Sequence, residues 1–143
     1  MPHVNLIAVL LCGVVSLAFG GIWYSPLLFA KAWQRGVGIS DDQAKSGNIA
    51  VIFGLTFLLS LIAAYVFGMF LGASMPLAGA VGAGLAAGLC WVAASLGIDY
   101  LFERRPFSLW LINGGYHTLQ FTIIGLALSL LPCAHCAQQP CPQ

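Results

Sequence analysis

Apolar positions along this chain fall into four long runs, residues 4–24, 49–71, 77–100 and 109–131. Each reaches the roughly 20 residues that a helix needs to cross a hydrocarbon core about 30 Å thick. The polar residues gather between the runs, and the pattern predicts an all-α membrane protein: four transmembrane helices in a bundle. In the first connection, Leu27 to Arg35 reads as a short interfacial helix. Leu27, Leu28, Phe29 and Trp33 are placed for lipid, Lys31, Gln34 and Arg35 for water, and Gly36 and Gly38 stop it. Ser40-Asp41-Asp42-Gln43 has the form of a capping box, so a helix restarts at Asp41 and runs on toward span two. Pro26 breaks the first span, and Pro106 followed by Ser108 marks a stop and a fresh N-cap before the fourth.

Composition agrees with this reading: of 143 residues, 60% are hydrophobic and 6% charged, against roughly 25% charged in soluble proteins. Residues 1–131 form one four-span domain, leaving 132–143 as a short Cys-rich outer tail, expected to be disordered. Ala18-Phe19-Gly20 has the small-x-small form of a signal-peptide cleavage site. No Lys or Arg precedes it, however, and the apolar run continues to Trp23 and Tyr24, so the first span is read as retained. The five cations all lie in two connections, Lys31, Arg35 and Lys45 in one and Arg104 and Arg105 in the other. The positive-inside rule makes that face cytoplasmic and puts both termini outside. Lys31, Arg35, Arg104 and Arg105 are the candidates for lipid headgroups, and membrane lipids are the expected partners. A net charge of +1 gives no reason to expect nucleic acid.

The spans differ in character. The second is rich in Leu, Phe and Ile and reads as the lipid-facing one. In the third, thirteen of the twenty residues from Ala78 to Gly97 are Gly, Ala or Ser, with Ala80, Gly84 and Gly88 four apart on one face. Small residues at that spacing let another backbone approach. They place span three at the centre of the bundle or at a homo-oligomer interface.

Span four carries the polar stripe Asn113, His117 and Gln120, at i, i+4 and i+7, beside Gly114 and Gly115. An ionisable group at that depth is by default a functional candidate, because polar side chains in hydrocarbon cost free energy unless paired or wet. The competing role is hydrogen-bonded glue between helices. Asp99 falls at the depth of Asn113 in the antiparallel neighbour, so Asp99, Asn113 and His117 form a candidate ligand or proton path. The local alternative for Asp99 is an ion pair with a hairpin arginine or with Lys31. Gly21-Ile22-Trp23-Tyr24 and Gly97-Ile98-Asp99-Tyr100 both close odd-numbered spans, and Asn48 and Asn113 both attend even-numbered ones. Two related halves would give that pattern.

Cys133, Cys136 and Cys141 with His135 offer ligands but no surrounding fold, so no metal site is expected, and on an oxidising side the thiols would pair. Cys12 and Cys90 read as small buried fillers. A haem role for His117 would want a second histidine at matching depth, and His3 lies too near the outer entrance, so no cofactor is expected. There is no catalytic triad, phosphate loop or carboxylate pair, and an enzyme is not expected.

Three segments taken together, Gly20-Gly21-Ile22-Trp23-Tyr24-Ser25-Pro26 with Phe29 and Trp33, Gly97-Ile98-Asp99-Tyr100-Leu101-Phe102-Glu103-Arg104-Arg105-Pro106, and Leu111-Ile112-Asn113-Gly114-Gly115-Tyr116-His117, resemble the bacterial membrane family known as domain of unknown function 1761. The resemblance runs nearly through Leu131. It implies a small integral membrane protein of the bacterial cytoplasmic membrane with no established activity. The family pattern often has Asn where this chain has Asp99, which shifts weight from Asp99 to His117. The expected function is a small-solute or ion binding or transport module acting as a homo-oligomer. The alternative is a structural subunit that packs against another membrane protein.

Overall fold

The computed structural model describes residues 4–72 and 75–131, and these are all-helical with no strand among them. Helix α1 (Leu6–Trp23) starts where the Asn5 side chain accepts from the backbone N–H groups of Ile7 and Ala8, at 3.0 and 3.3 Å. It ends at Tyr24, two residues before the proline. The chain then turns, with the Ser25 carbonyl accepting from the amides of Leu28 and Ala30, so α2 (Ala30–Val37) begins three residues later than the apolar pattern suggests. Gly38, in the left-handed region at φ 80°, ends it. Gly36 is not a stop. It lies inside α2 and lets the backbone close on Leu109, whose side chain would be 3.0 Å from a Cβ there.

Helix α3 (Asp41–Ser46) carries the expected capping box between Ser40 and Gln43. It does not continue into the next span, because Gly47 is extended and Asn48 caps α4 (Ile49–Leu71) afresh, accepting from Val51 N–H at 3.3 Å. The third long rod, Leu77–Phe102, is α5 (Leu77–Ala86), a π-helical segment (Ala87–Ala93) and α6 (Ala94–Phe102). Helix α7 (Phe107–Leu130) follows Pro106 and starts two residues before the expected boundary. Between the last two, Arg104 adopts φ 56°. Arg105 bonds Glu103 at 3.0 Å and the Val37 carbonyl of α2 at 2.9 Å, which pins the two connections together.

Helices α1 and α4 and the rod 77–102 are long and apolar enough to cross a membrane. Helix α7 has 24 residues, but Asn113, His117 and Gln120 interrupt its apolar run. Its neighbours explain how it carries them: α7 packs against α1, α2, α4, α5, the π segment and α6, whereas the rod 77–102 packs mainly on α7. The hub is therefore the polar helix α7, and the expectation of a central span three is corrected. A helix with polar side chains needs protein on most sides, while a small-residue helix needs one close neighbour.

That close neighbour is α7. A Cβ at Gly84 would collide with the Phe121 carbonyl, one at Gly88 would lie 2.7 Å from the His117 carbonyl, and one at Gly125 would collide with the Ala80 carbonyl. The Ala80, Gly84 and Gly88 stripe is thus filled within the chain, and any self-association of span three has to use another of its faces. Farther from the cations, Val9, Cys12, Ala64, Phe67, Leu71, Ala80 and Ile124 form the apolar core. Span two is outward-facing as expected, with Leu55, Leu58, Leu59 and Ile62 exposed. Cys12 is buried, but Cys90 is exposed on the π segment rather than buried. The tail cysteines and His3 lie outside the described residues.

Replacing Gly84 by Leu forces α5 off α7 and lowers stability by about 1–3 kcal/mol or more, the usual cost of overpacking. Gly82→Ala, whose Cβ meets nothing within 4 Å, should be nearly silent. Unfolding of both variants in mild detergent checks the contrast.

Candidate functional site: the polar seam of α7

The first turns of α7 are held by aromatic residues from the ends of α1 and α6. The Trp23 indole donates to the Ile112 carbonyl at 3.1 Å. Tyr24 donates its hydroxyl to Asn113 Oδ1 at 2.9 Å, and Asn113 Nδ2 donates to the Tyr100 hydroxyl at 2.7 Å. Both ends of one amide are thus engaged by tyrosines from two different helices. Around this bridge Tyr24 packs edge-on to Trp33, and Tyr116 lies 5.6 Å from Phe19, nearly parallel to it. Tyr116 also reaches the Ser16 carbonyl at 3.3 Å, passing over Gly20, where a Cβ would come within 3.2 Å of its hydroxyl. The aromatic and glycine motif that closes α1 is a socket for α7.

The Trp110 indole donates to the Ala93 carbonyl at 2.7 Å, and the Ser95 hydroxyl to the Trp91 carbonyl at 2.8 Å. Both acceptors belong to the π segment, where the i to i+5 pattern disturbs the regular ladder.

One turn past Asn113, His117 Nδ1 lies 3.0 Å from Gln120 Oε1. An amide oxygen only accepts, so this contact assigns the proton to Nδ1 and leaves Nε2 as an acceptor. Nε2 has no hydrogen-bond partner among the described residues. His117 is half-buried and Gln120 buried. His117 is ten residues into α7, roughly 15 Å along its axis.

The seam corrects the expected ladder. Asp99 is exposed, and its carboxylate makes no hydrogen bond or ion pair with the described residues. Successive helical residues diverge by about 100°, so Tyr100 faces α7 and Asp99 does not. Asn113 is engaged at both its oxygen and its nitrogen and is a bridge rather than an open ligand. No bond joins it to His117, and only His117 and Gln120 keep the character of a site. Tyr24 and Tyr100, the partners that sequence reasoning missed, were signalled by the shared Gly-Ile-x-Tyr at the ends of spans one and three. Asn48 is not the counterpart of Asn113: the former is a helix cap and the latter an interhelical bridge.

Of the four cations expected at headgroups, Arg105 is committed to Glu103 and Val37, and Arg104 is exposed. Lys31 and Arg35 line an open cavity of about 460 Å³. A second cavity, about 860 Å³ and apolar, opens between α4 and the rod 77–102, with Val66 and Phe70 on one wall, Ala83, Ala87 and Trp91 on the other, and Phe121 between them. No group of three His, Cys, Asp or Glu suited to a metal ion occurs among the described residues.

The model of a family described as Protein of unknown function (DUF1761) matches residues 7–129. Comparison with curated proteins and with solved structures gave no match.

Tyr24→Phe and Tyr100→Phe should each cost on the order of 0.6 kcal/mol, the average for an interhelical hydrogen bond in a membrane. Asn113→Ala should cost at least their sum, because it opens both contacts at once. A thermodynamic cycle over the three positions in detergent measures this, and an Asn113→Ala variant as stable as the parent would rule out the bridge.

Proposed function

The chain belongs to the DUF1761 family, and from that premise we propose that it is a four-span protein of the bacterial inner membrane that binds a small solute or ion at His117 and Gln120. Helix α7 serves as the fourth span, its polar residues sheltered by the helices around it. The positive-inside rule places the cation-bearing connections in the cytoplasm and both termini outside. Helix α2 lies in the interface, next to Leu27, which is 91% exposed.

The observation that carries this reading is the unpartnered Nε2 of His117 at mid-depth. A neutral imidazole held by Gln120 presents one lone pair and is suited to a cation, a proton or a small donor molecule. The Tyr24, Asn113 and Tyr100 bridge lies one turn nearer the cytoplasm and acts as the inner closure of that site. Binding is proposed because the His117 imidazole is hydrogen-bonded, among the described residues, only to the Gln120 amide, and the neighbouring Tyr116 hydroxyl is turned to the Ser16 carbonyl.

The apolar cavity favours a second reading, an assembly subunit. Trp91 is 72% exposed on the cavity wall, a surface another membrane helix could cover, in a copy of this chain or in a different protein.

Under the binding reading, His117→Ala abolishes the thermal shift that one member of a panel of metal cations and small amines gives the purified protein, while the variant still unfolds cooperatively. Under the assembly reading the panel gives no His117-dependent shift, and Trp91→Ala together with Ala87→Leu abolishes co-purification of a partner or of a second copy.

A further inference from the structure

The corner between α2 and α3 holds three charges in one cavity. Lys31 and Arg35 stand one helical turn apart on α2 with Gln34 beside them, while Ile39 and Asp41 form the other side. Arg35 donates its Nε–H to the Lys31 carbonyl at 3.2 Å, which steadies the side chain and leaves its terminal guanidinium nitrogens free. None of the three charges is in an ion pair: the salt bridge found among the described residues joins Arg105 to Glu103. The backbone at Asp41, in the first turn of α3, is set by the Ser40 and Gln43 capping box. The cavity is also fixed relative to the long helices, through Gly36 against Leu109 and the Val37 carbonyl on Arg105. Leu27 and Leu28, just before α2, are exposed apolar side chains.

Two cations and one carboxylate that share a cavity without pairing are complementary to a group carrying both signs. We propose that this cavity is a headgroup site for an aminophospholipid. The phosphodiester sits between Lys31 and Arg35 and accepts from the Gln34 amide, and the primary ammonium donates to the Asp41 carboxylate. The arrangement discriminates by charge and by hydrogen bonding. An anionic headgroup without an amine meets the cations but leaves Asp41 facing negative charge. A quaternary ammonium satisfies the charge of Asp41 but has no N–H to give it. The acyl chains then lie beside Leu27 and Leu28, within the bilayer. The site is independent of His117, and its test does not depend on the solute-binding reading.

The experiment uses the full chain in nanodiscs of phosphatidylcholine doped with phosphatidylethanolamine or phosphatidylglycerol, with bound lipid counted by native mass spectrometry after release. The parent should retain phosphatidylethanolamine over both other lipids. Lys31→Gln with Arg35→Gln should weaken that retention on the order of tenfold or more, as expected for losing two charge-assisted contacts. Asp41→Asn should keep phospholipid binding but abolish the preference for phosphatidylethanolamine over phosphatidylglycerol. All three positions are exposed, and an unchanged melting temperature in phosphatidylcholine verifies folding of each variant. Equal retention of the three lipids by the parent, or undiminished retention by the double variant, overturns the proposal. So does a thermal shift with soluble phosphoethanolamine or inorganic phosphate that matches the lipid's, since that assigns the cavity to a free phosphate compound instead.

Discussion

The backbone contact between α5 and α7 is the constraint on which the rest of the structure depends. In lipid no hydrophobic force drives helices together, so association rests on dispersion at close range and on hydrogen bonds. Gly84 of α5, Gly88 of the π segment that continues it and Gly125 of α7 bring the backbones near enough that a methyl group at any of them would strike a carbonyl or an α-carbon. This contact seats the rod 77–102 on one side of α7. Helix α1 takes another side, with α4 behind it, and leaves the space between α4 and α5 as the apolar cavity.

With both flanks covered, α7 can carry polar groups that a lipid-facing helix could not. Its two halves divide the work: Phe121 and Ile124 belong to the apolar core or pack against it, while Asn113 to Gln120 carry the hydrogen-bonding groups. The Asn113 bridge gathers the ends of α1 and α6 onto one amide, and the Arg105 contact does the same for the two connections outside. The cation-bearing end of the molecule is therefore cross-tied at two levels. Helix α2 inherits a fixed position from them, and with it the cavity that Lys31, Arg35 and Asp41 line.

The four apolar runs, the capping box at Ser40, the break at Pro26 and the outward character of span two were legible from residue order, because each depends on neighbours within a turn or two. The close-packing role of Ala80, Gly84 and Gly88 was also legible, but not the partner they would meet. His117 and Gln120 stood out as polar groups at an apolar depth, and the structure joins them directly. Asp99 shows the opposite case: helical rise gives a position along the axis but says nothing of rotation, and Tyr100 occupies the inward direction.

Local chemistry thus determined by itself which segments are helical, where most of them begin and end, and that the protein's exterior is apolar. Which helix is central, which face of span three is covered, and which hydroxyls complete Asn113 were decided only in the tertiary structure. The physical reason is that helical periodicity sets the angles between side chains on one helix but not the rotation of that helix against its neighbours. That rotation is chosen by the closest backbone approach available, which here is the one between the glycines of α5 and α7.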